Sequence, residues 1–120
     1  MTTMLTAVFN VRTKPGQGAA LISTITEMTK VIEEQVPGLL SYQVFSPDGG
    51  DNYILVERFA NSDVVLKTGK IAAGFAPRIM ESCEILSCCV GGPVSEAAQE
   101  HLSAFGASFD PSPIGFDRAA

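Results

Sequence analysis

The sequence of 120 residues has no tryptophan, only three cysteines and one histidine, and few charged residues. An odd number of cysteines disfavours the disulfide framework of a secreted protein, since such a framework pairs its cysteines. The charged fraction is 18%, whereas about a quarter is usual, so we expect a partner to cover part of the surface. A chain of this length predicts one domain with a core of its own.

Charge and hydropathy exclude two further classes of protein. The net charge is -5 and the basic residues are scattered, whereas phosphate contacts need clustered lysine and arginine. We therefore expect no nucleic-acid partner. No apolar run approaches the roughly 20 residues that cross a bilayer, and the N-terminus lacks the charged n-region of a secretory signal. These features predict a cytoplasmic protein without membrane contact.

The cysteines, the histidine and a glycine-rich turn give no metal, triad or nucleotide pattern. Cys88 and Cys89 are adjacent, so in a strand they point to opposite faces and do not easily bind one metal. Together with Cys83 they are expected to be buried as small apolar residues. His101 has no partner at a recognisable spacing, which favours a surface position. Leu21 stands where a nucleotide-binding turn after Gly16-Gln17-Gly18 needs a small residue, so we expect no cofactor.

The first half of the chain predicts a strand, a helix and a hairpin. Residues 4–11 alternate in the manner of a strand. Residues 17–35 carry apolar residues at helical spacing, and Pro37 ends this helix. The helix residues predicted to face the core are Leu21, Ile25, Met28 and Ile32. Turn residues divide the segment 39–60 into two strands rich in β-branched and aromatic side chains.

The second half predicts a helix, a strand and an appended segment. Residues 61–63 are suited to begin a helix, which two glycines then break, and residues 83–90 predict a fourth strand. The order β-α-β-β-α-β predicts a ferredoxin-like α+β domain at residues 1–92, with an antiparallel sheet and the helices on one face. Residues 93–120 predict a C-terminal extension, with a short helix capped by Ser95 and an irregular end that packs on the domain or on a partner.

The predicted hairpin has no face that is suited to water. If its turn is centred between Gly49 and Gly50, Tyr42 lies directly opposite Glu57. One face then carries Leu40, Tyr42, Val44, Ser46, Tyr53, Leu55, Glu57 and Phe59, and the other carries Ser41, Gln43, Phe45, Ile54, Val56 and Arg58. Both faces hold large apolar residues, whereas a sheet with one solvated face alternates apolar and polar side chains. We therefore expect helices on one face and a second copy of the chain on the other.

Four polar residues are candidates for chemistry between the sheet and the helices. Tyr42 and Glu57 are predicted neighbours, close enough for the phenol to donate a hydrogen bond to the carboxylate. A buried pair of this kind can deprotonate or orient a substrate hydroxyl. Asn10, at the end of the first strand, and Arg78, in the second helix, are candidates to donate to a developing oxyanion. Each of these residues also fits a purely structural role.

Three segments of the chain resemble one known family. A strand ends before Lys14-Pro15-Gly16, the first helix closes in the pattern V-P-G-x-x-S-Y-x-V-F at residues 36–45, and a later strand ends in V-E-R-F at residues 56–59. Over residues 4–90 this arrangement is similar to the antibiotic biosynthesis monooxygenase (ABM) domain family of dimeric α+β barrels. The resemblance implies a homodimer of two ferredoxin-like subunits that pack sheet to sheet.

The resemblance also implies a function. Some members of that family oxidise aromatic or quinol substrates with molecular oxygen, without metal or flavin, in a cleft between sheet and helices. This implies a cofactor-independent monooxygenase whose substrate pocket includes Phe59, Thr68 and Phe75. Many relatives carry Trp at the position of Phe59 and His at the position aligned with Thr68, so a mechanism that needs those groups is not available here. The alternative is a non-catalytic dimer that binds a small apolar ligand or a protein partner.

Overall fold

A computed structural model describes residues 2–118, which form five strands and four helices. In chain order the elements are β1 (Leu5–Thr13), α1 (Gly18–Gln35), β2 (Leu39–Phe45), β3 (Asn52–Phe59), α2 (Ser62–Ala73), α3 (Ala76–Ser82), β4 (Cys83–Gly91), α4 (Glu96–Ser103) and β5 (Ala107–Asp110). None of these helices is long and apolar enough to span a membrane.

The strands form one sheet in the order β2-β3-β1-β4-β5. The first four strands pair antiparallel, as predicted, and β5 pairs parallel to β4 at its edge. The prediction that the segment after Gly106 is irregular is therefore wrong for Ala107–Asp110. This strand has only four residues, which is too short for its alternation to give a detectable pattern.

The helices begin at the predicted caps, but only one of the two predicted breaks in the second helix is found: the helix stops at Gly74, whereas Gly69 lies within α2. The side chain of Asn61 accepts a hydrogen bond from the backbone N–H of Val64 at 3.2 Å, and Ser95 caps α4 in the same way from Ala98 at 3.2 Å. Between Ala73 and Ala76 the predicted second helix is interrupted, so it consists of α2 and the shorter α3. In α1 the residues predicted to face the core are buried, namely Leu21, Ile25, Met28 and Ile32.

The hairpin has the predicted register over most of its length. Tyr42 lies opposite Glu57, and the register is kept from there to the turn. A bulge at the start of β2 places Leu39 rather than Leu40 opposite Phe59. Leu40 is 48% exposed and lies outside the row of Tyr42, so its predicted position is wrong.

The helices cover the sheet face that carries Tyr42 and Glu57, and the opposite face is open. The open face bears large apolar side chains, and Phe45 and Leu86 on it are 48% and 47% exposed. The C-terminal tail reaches this face, where Asp117 forms a salt bridge with Arg58. The fold thus leaves unburied the second apolar face that the hairpin sequence indicates.

The three cysteines are free thiols. Cys83 and Cys88 are buried, whereas Cys89 is exposed, so the prediction that all three are buried is wrong for Cys89. The cause is the strand period of two, which turns Cys89 to the open face when Cys88 points to the helices.

Candidate functional site

A cavity of about 270 Å³ lies between the sheet and the helices. This volume is just below the roughly 300–1,000 Å³ that is typical of pockets for drug-sized ligands, so it suits a small molecule. The helix side of the cavity is lined by small residues of α2 and of the first position of α3, namely Gly69, Ala72, Ala73 and Ala76. Larger side chains at these positions would occupy the space, since protein interiors are close-packed.

The sheet side of the cavity carries a buried carboxyl group. Glu57 is 7% exposed, lies in the middle of β3 and lines the cavity. Its side chain forms no hydrogen bond with another residue in the range 2–118. Burial raises its pKa from 4.5 to about 8, because the charged form is deprived of water. At pH 7 the group is therefore mainly a neutral carboxylic acid, and above pH 8 it is a strong carboxylate base.

Tyr42 lies beside Glu57 on the neighbouring strand and also lines the cavity. Burial raises the pKa of its phenol well above 10, and the nearby Glu57 raises it further. Within the described residues no hydrogen bond joins the two side chains, so the predicted donation from phenol to carboxylate is not formed. Both groups therefore keep their hydrogen-bonding capacity for a ligand in the cavity.

The helix side of the cavity carries a buried hydroxyl without a partner. Thr68 of α2 is 5% exposed, and its Oγ1 forms no hydrogen bond with another described residue. A buried polar group left unpaired costs about 1–3 kcal/mol, so such groups are rare in native proteins. Thr68 lines the cavity, as does Phe59, and the sequence predicts both residues in the pocket.

His101 also lines the cavity, which corrects its predicted surface position. Its ring is half-buried and packs edge-on against Phe105, with 5.8 Å between the ring centroids. The sequence does contain a signal for this position. Ala98, His101, Leu102 and Phe105 recur at helical spacing, so they share one face of the segment, and the first and third of them are buried.

The buried thiols near the cavity are not suited to act as nucleophiles. Cys83 lines the cavity, and burial raises its pKa. The pKa of Cys88 is raised to about 11, first by burial and then by the neighbouring Glu57 and Cys89. Both side chains are therefore neutral thiols at pH 7, and the thiolate is the reactive form. Across residues 2–118 no group of three or more His, Cys, Asp or Glu side chains is arranged to hold a metal ion.

Three of the predicted site residues lie away from the cavity lining. Asn10 is on the open face, where its Nδ2 donates to Oγ of Ser87 at 3.0 Å. Its position follows from the strand period, which points Asn10 away from the helices when Val11 is buried. Arg78 is at the surface, where its guanidinium donates to Glu27 at 2.7 Å. Phe75 packs against the core, with the Arg78 guanidinium 5.7 Å from its ring centroid.

The comparison with protein families identifies the fold and its relatives. A family model described as antibiotic biosynthesis monooxygenase matches residues 4–67. The chain belongs to this family. The matched region of this antibiotic biosynthesis monooxygenase homologue includes Tyr42 and Glu57, whereas Thr68 and His101 lie beyond it. No curated protein matches the chain.

Several solved structures share the antibiotic biosynthesis monooxygenase fold. MupZ from Pseudomonas fluorescens is 16% identical, with a TM-score of 0.84 over 99% of this chain and 92% of that one. SnoaB from Streptomyces nogalater, which is described as a cofactor-independent oxygenase, is 13% identical, with a TM-score of 0.63 over 74% and 91% of the two chains. Rv0793 from Mycobacterium tuberculosis is 16% identical, with a TM-score of 0.64 over 78% and 98%.

Proposed function

We propose that this protein is a cofactor-independent monooxygenase that oxidises a small hydroxylated aromatic molecule in the cavity between sheet and helices. The family supports a monooxygenase in general terms, and the substrate class is our inference from the cavity. Its lining is mostly apolar, with aromatic residues such as Phe9 and Phe59, and is thus suited to a flat aromatic body. The polar groups at the cavity then determine where a substrate hydroxyl lies.

The observation that carries the proposal is the buried Glu57. Its pKa of about 8 makes its carboxylate more basic than an ordinary one by about three to four powers of ten. A base is most effective when its pKa lies near the working pH, so Glu57 is suited to remove the proton of a phenol. Tyr42, which stays a neutral phenol, is placed to donate a hydrogen bond to the oxygen anion that results.

The proposed reaction converts a hydroxyarene and O2 into a quinone and water. Glu57 takes the phenol proton, and the electron-rich ring carbon opposite the oxygen forms a bond to one atom of O2. The proton held by Glu57 passes to the outer oxygen and gives a hydroperoxide. Loss of the ring proton from that carbon and cleavage of the O–O bond leave a carbonyl and release water. The ring is oxidised by four electrons, and O2 accepts all four.

Oxygen uptake tests this proposal directly. We expect the protein to consume O2 with hydroxynaphthalenes such as 1-naphthol and to form the quinone, which is followed by its absorbance. The rate should rise with pH and level off above about pH 8, because only the ionised Glu57 is a base. Glu57→Gln should lower the rate at least about 100-fold, whereas Glu84→Gln, an exposed carboxyl on β4, should not. Equal rates for Glu57→Gln and the wild type, or no uptake with any hydroxynaphthalene, would refute the proposal.

The alternative, a dimer that only binds an apolar ligand, predicts a pocket without convergent polar groups. Glu57 and Tyr42 converge on the cavity, which supports the enzyme over this alternative. A tightly held apolar molecule that co-purifies with the protein, together with absent oxygen uptake, would reverse this preference.

We also propose that the protein is a homodimer that packs the open sheet face against its copy. This face carries half-buried Val8 and Val56 beside the more exposed Phe45 and Leu86. Contiguous apolar surface of this kind marks interaction sites in soluble proteins. Sedimentation at micromolar concentration should detect two copies, and a stable single subunit would refute the dimer.

A further inference from the structure

The appended helix α4 rests on α2 at a glycine. A Cβ atom built at Gly69 would lie 2.5 Å from Nε2 of His101 and 2.6 Å from its Cε1, closer than real Cβ atoms approach other atoms. Glycine in the interior of a helix is unfavourable relative to alanine, since it loses more backbone entropy on folding. At this position the missing side chain provides the space in which the imidazole lies.

The imidazole also packs against an aromatic ring. Phe105 packs edge-on against it, and Phe105 in turn packs edge-on against Phe9 of β1, again with 5.8 Å between the ring centroids. Within residues 2–118 neither ring nitrogen forms a hydrogen bond. His101 is therefore held by packing against Gly69 and Phe105 rather than by a hydrogen bond within the described chain, and it lines the cavity.

The residue next to Gly69 carries the unpartnered hydroxyl of the cavity. Thr68 is 5% exposed, and its Oγ1 has no partner among the described residues. Buried hydroxyls in native proteins are almost always hydrogen-bonded, so an orphan on a residue that lines a cavity calls for an explanation. Thr68 and His101 thus bring two unused polar groups to the helix side of the same space in which Glu57 and Tyr42 line the sheet side.

We infer that His101 and Thr68 form a second polar contact of the site, which binds an oxygen substituent of the substrate. This inference rests on the proposed function, because it assumes that Glu57 and Tyr42 bind a first hydroxyl. The substrate class is then an aromatic molecule with two oxygen functions, one for each side of the cavity. The C-terminal extension completes the site, since α4 supplies His101.

The single histidine permits a direct test by NMR on the untagged protein. Binding of three probes, naphthalene, 1-naphthol and 1,5-dihydroxynaphthalene, is measured by tyrosine fluorescence and by the imidazole resonances. We expect the dihydroxy probe to bind about fivefold or more tightly than 1-naphthol and to shift the His101 resonances, since a hydrogen bond of ordinary strength corresponds to such a factor. In His101→Phe, which keeps an aromatic ring beside Phe105, this preference for the second hydroxyl should disappear.

Gly69→Ala gives a test that leaves the histidine itself unchanged. The added methyl group displaces the imidazole, so the preference for the dihydroxy probe should fall as it does in His101→Phe. Gly74→Ala is the matched control, because a Cβ there meets only the backbone oxygen of Ile71 at 3.5 Å, an ordinary contact. This control should bind all three probes as the wild type does.

The probe experiments and oxygen uptake test the second contact and the monooxygenase separately. If the dihydroxy probe binds without moving the His101 resonances, or His101→Phe keeps the wild-type preference, the inference is overturned. The proposed function is judged separately by oxygen uptake and by Glu57→Gln. If the preference depends on His101 but no oxygen is consumed, the second contact stands and the monooxygenase is refuted. If no probe binds, both proposals are refuted.

Discussion

The buried carboxyl of Glu57 predicts that stability falls as the pH rises. In the unfolded chain this group ionises near pH 4.5, whereas in the folded protein it ionises near pH 8. Between these two values the folded state holds one proton more than the unfolded state. The stability associated with this proton is fully present below about pH 4.5 and is lost as the pH rises through about 8.

The size of the effect follows from the same two values. Each pH unit in this window lowers the free energy of unfolding by about 1.4 kcal/mol. From pH 4.5 to pH 7 the loss is therefore about 3 kcal/mol, and it reaches about 5 kcal/mol above pH 8. Such a loss is a large part of the stability of a small domain, which is typically about 5–15 kcal/mol.

Glu57→Gln isolates this contribution from the other titrating groups. Glutamine has nearly the same shape as glutamate and does not ionise. From pH 5 to pH 8 the free energy of unfolding of Glu57→Gln should therefore fall by about 4 kcal/mol less than that of the wild type. Urea unfolding, followed by tyrosine fluorescence at one fixed protein concentration, measures the difference at each pH. Glu84→Gln is the matched control, since its carboxyl is exposed on the neighbouring part of the same sheet.

Parallel dependence of the free energy of unfolding on pH in the wild type and in Glu57→Gln would refute this prediction. So would a Glu84→Gln variant that flattens this dependence as strongly as Glu57→Gln does. The first result would mean that the folded protein provides water or a partner to the carboxylate of Glu57, and the second would mean that the pH dependence does not come from Glu57 alone.

Four further changes have expected outcomes. Thr68→Val should raise the free energy of unfolding by about 1 kcal/mol in urea titrations, because it removes a buried hydroxyl that has no partner. Asn61→Ala should lower it by about 1 kcal/mol, because it removes the N-cap of α2. Ala72→Leu should fill the cavity and abolish binding of 1-naphthol in fluorescence titrations while the circular dichroism stays unchanged. Phe45→Glu should yield single subunits in sedimentation, because it places a charge in the proposed dimer face.

The parts of the fold that depend on local patterns were predictable from the sequence. The turn at Gly49 and Gly50 determines the register of the hairpin, so the pairing of Tyr42 with Glu57 followed from residue types alone. The cap at Asn61 likewise depends on residues within one turn of helix. The bulge at the start of β2 was missed, since the chain there adjusts to the packing of the neighbouring strand rather than to a turn signal.

The candidate site was predictable only on its sheet side. Alternation along a strand determines which side chains share a face of the sheet. Asn10 and the buried Val11 are successive residues of β1 and point to opposite faces, so this rule excludes Asn10 from the face that the helices cover. The position of His101 depends instead on the contact between two helices that are distant in sequence. Gly69 leaves the space for the imidazole. The spacing of apolar residues along one helix does not predict which residue of another helix will fill such a space.

Two unfavourable burials among residues 2–118 lie at one cavity. Burial raises the pKa of Glu57, which has no hydrogen-bonding partner in the described chain, and the hydroxyl of Thr68 is fully buried without a partner there. Each lowers stability, and an apolar residue at either position would avoid the loss. Since both face one cavity, a ligand with two oxygen functions would relieve both at once, and its binding would stabilise the fold. This location is what our proposed binding role for these polar groups predicts, because groups retained for folding alone would be expected to have partners within the chain.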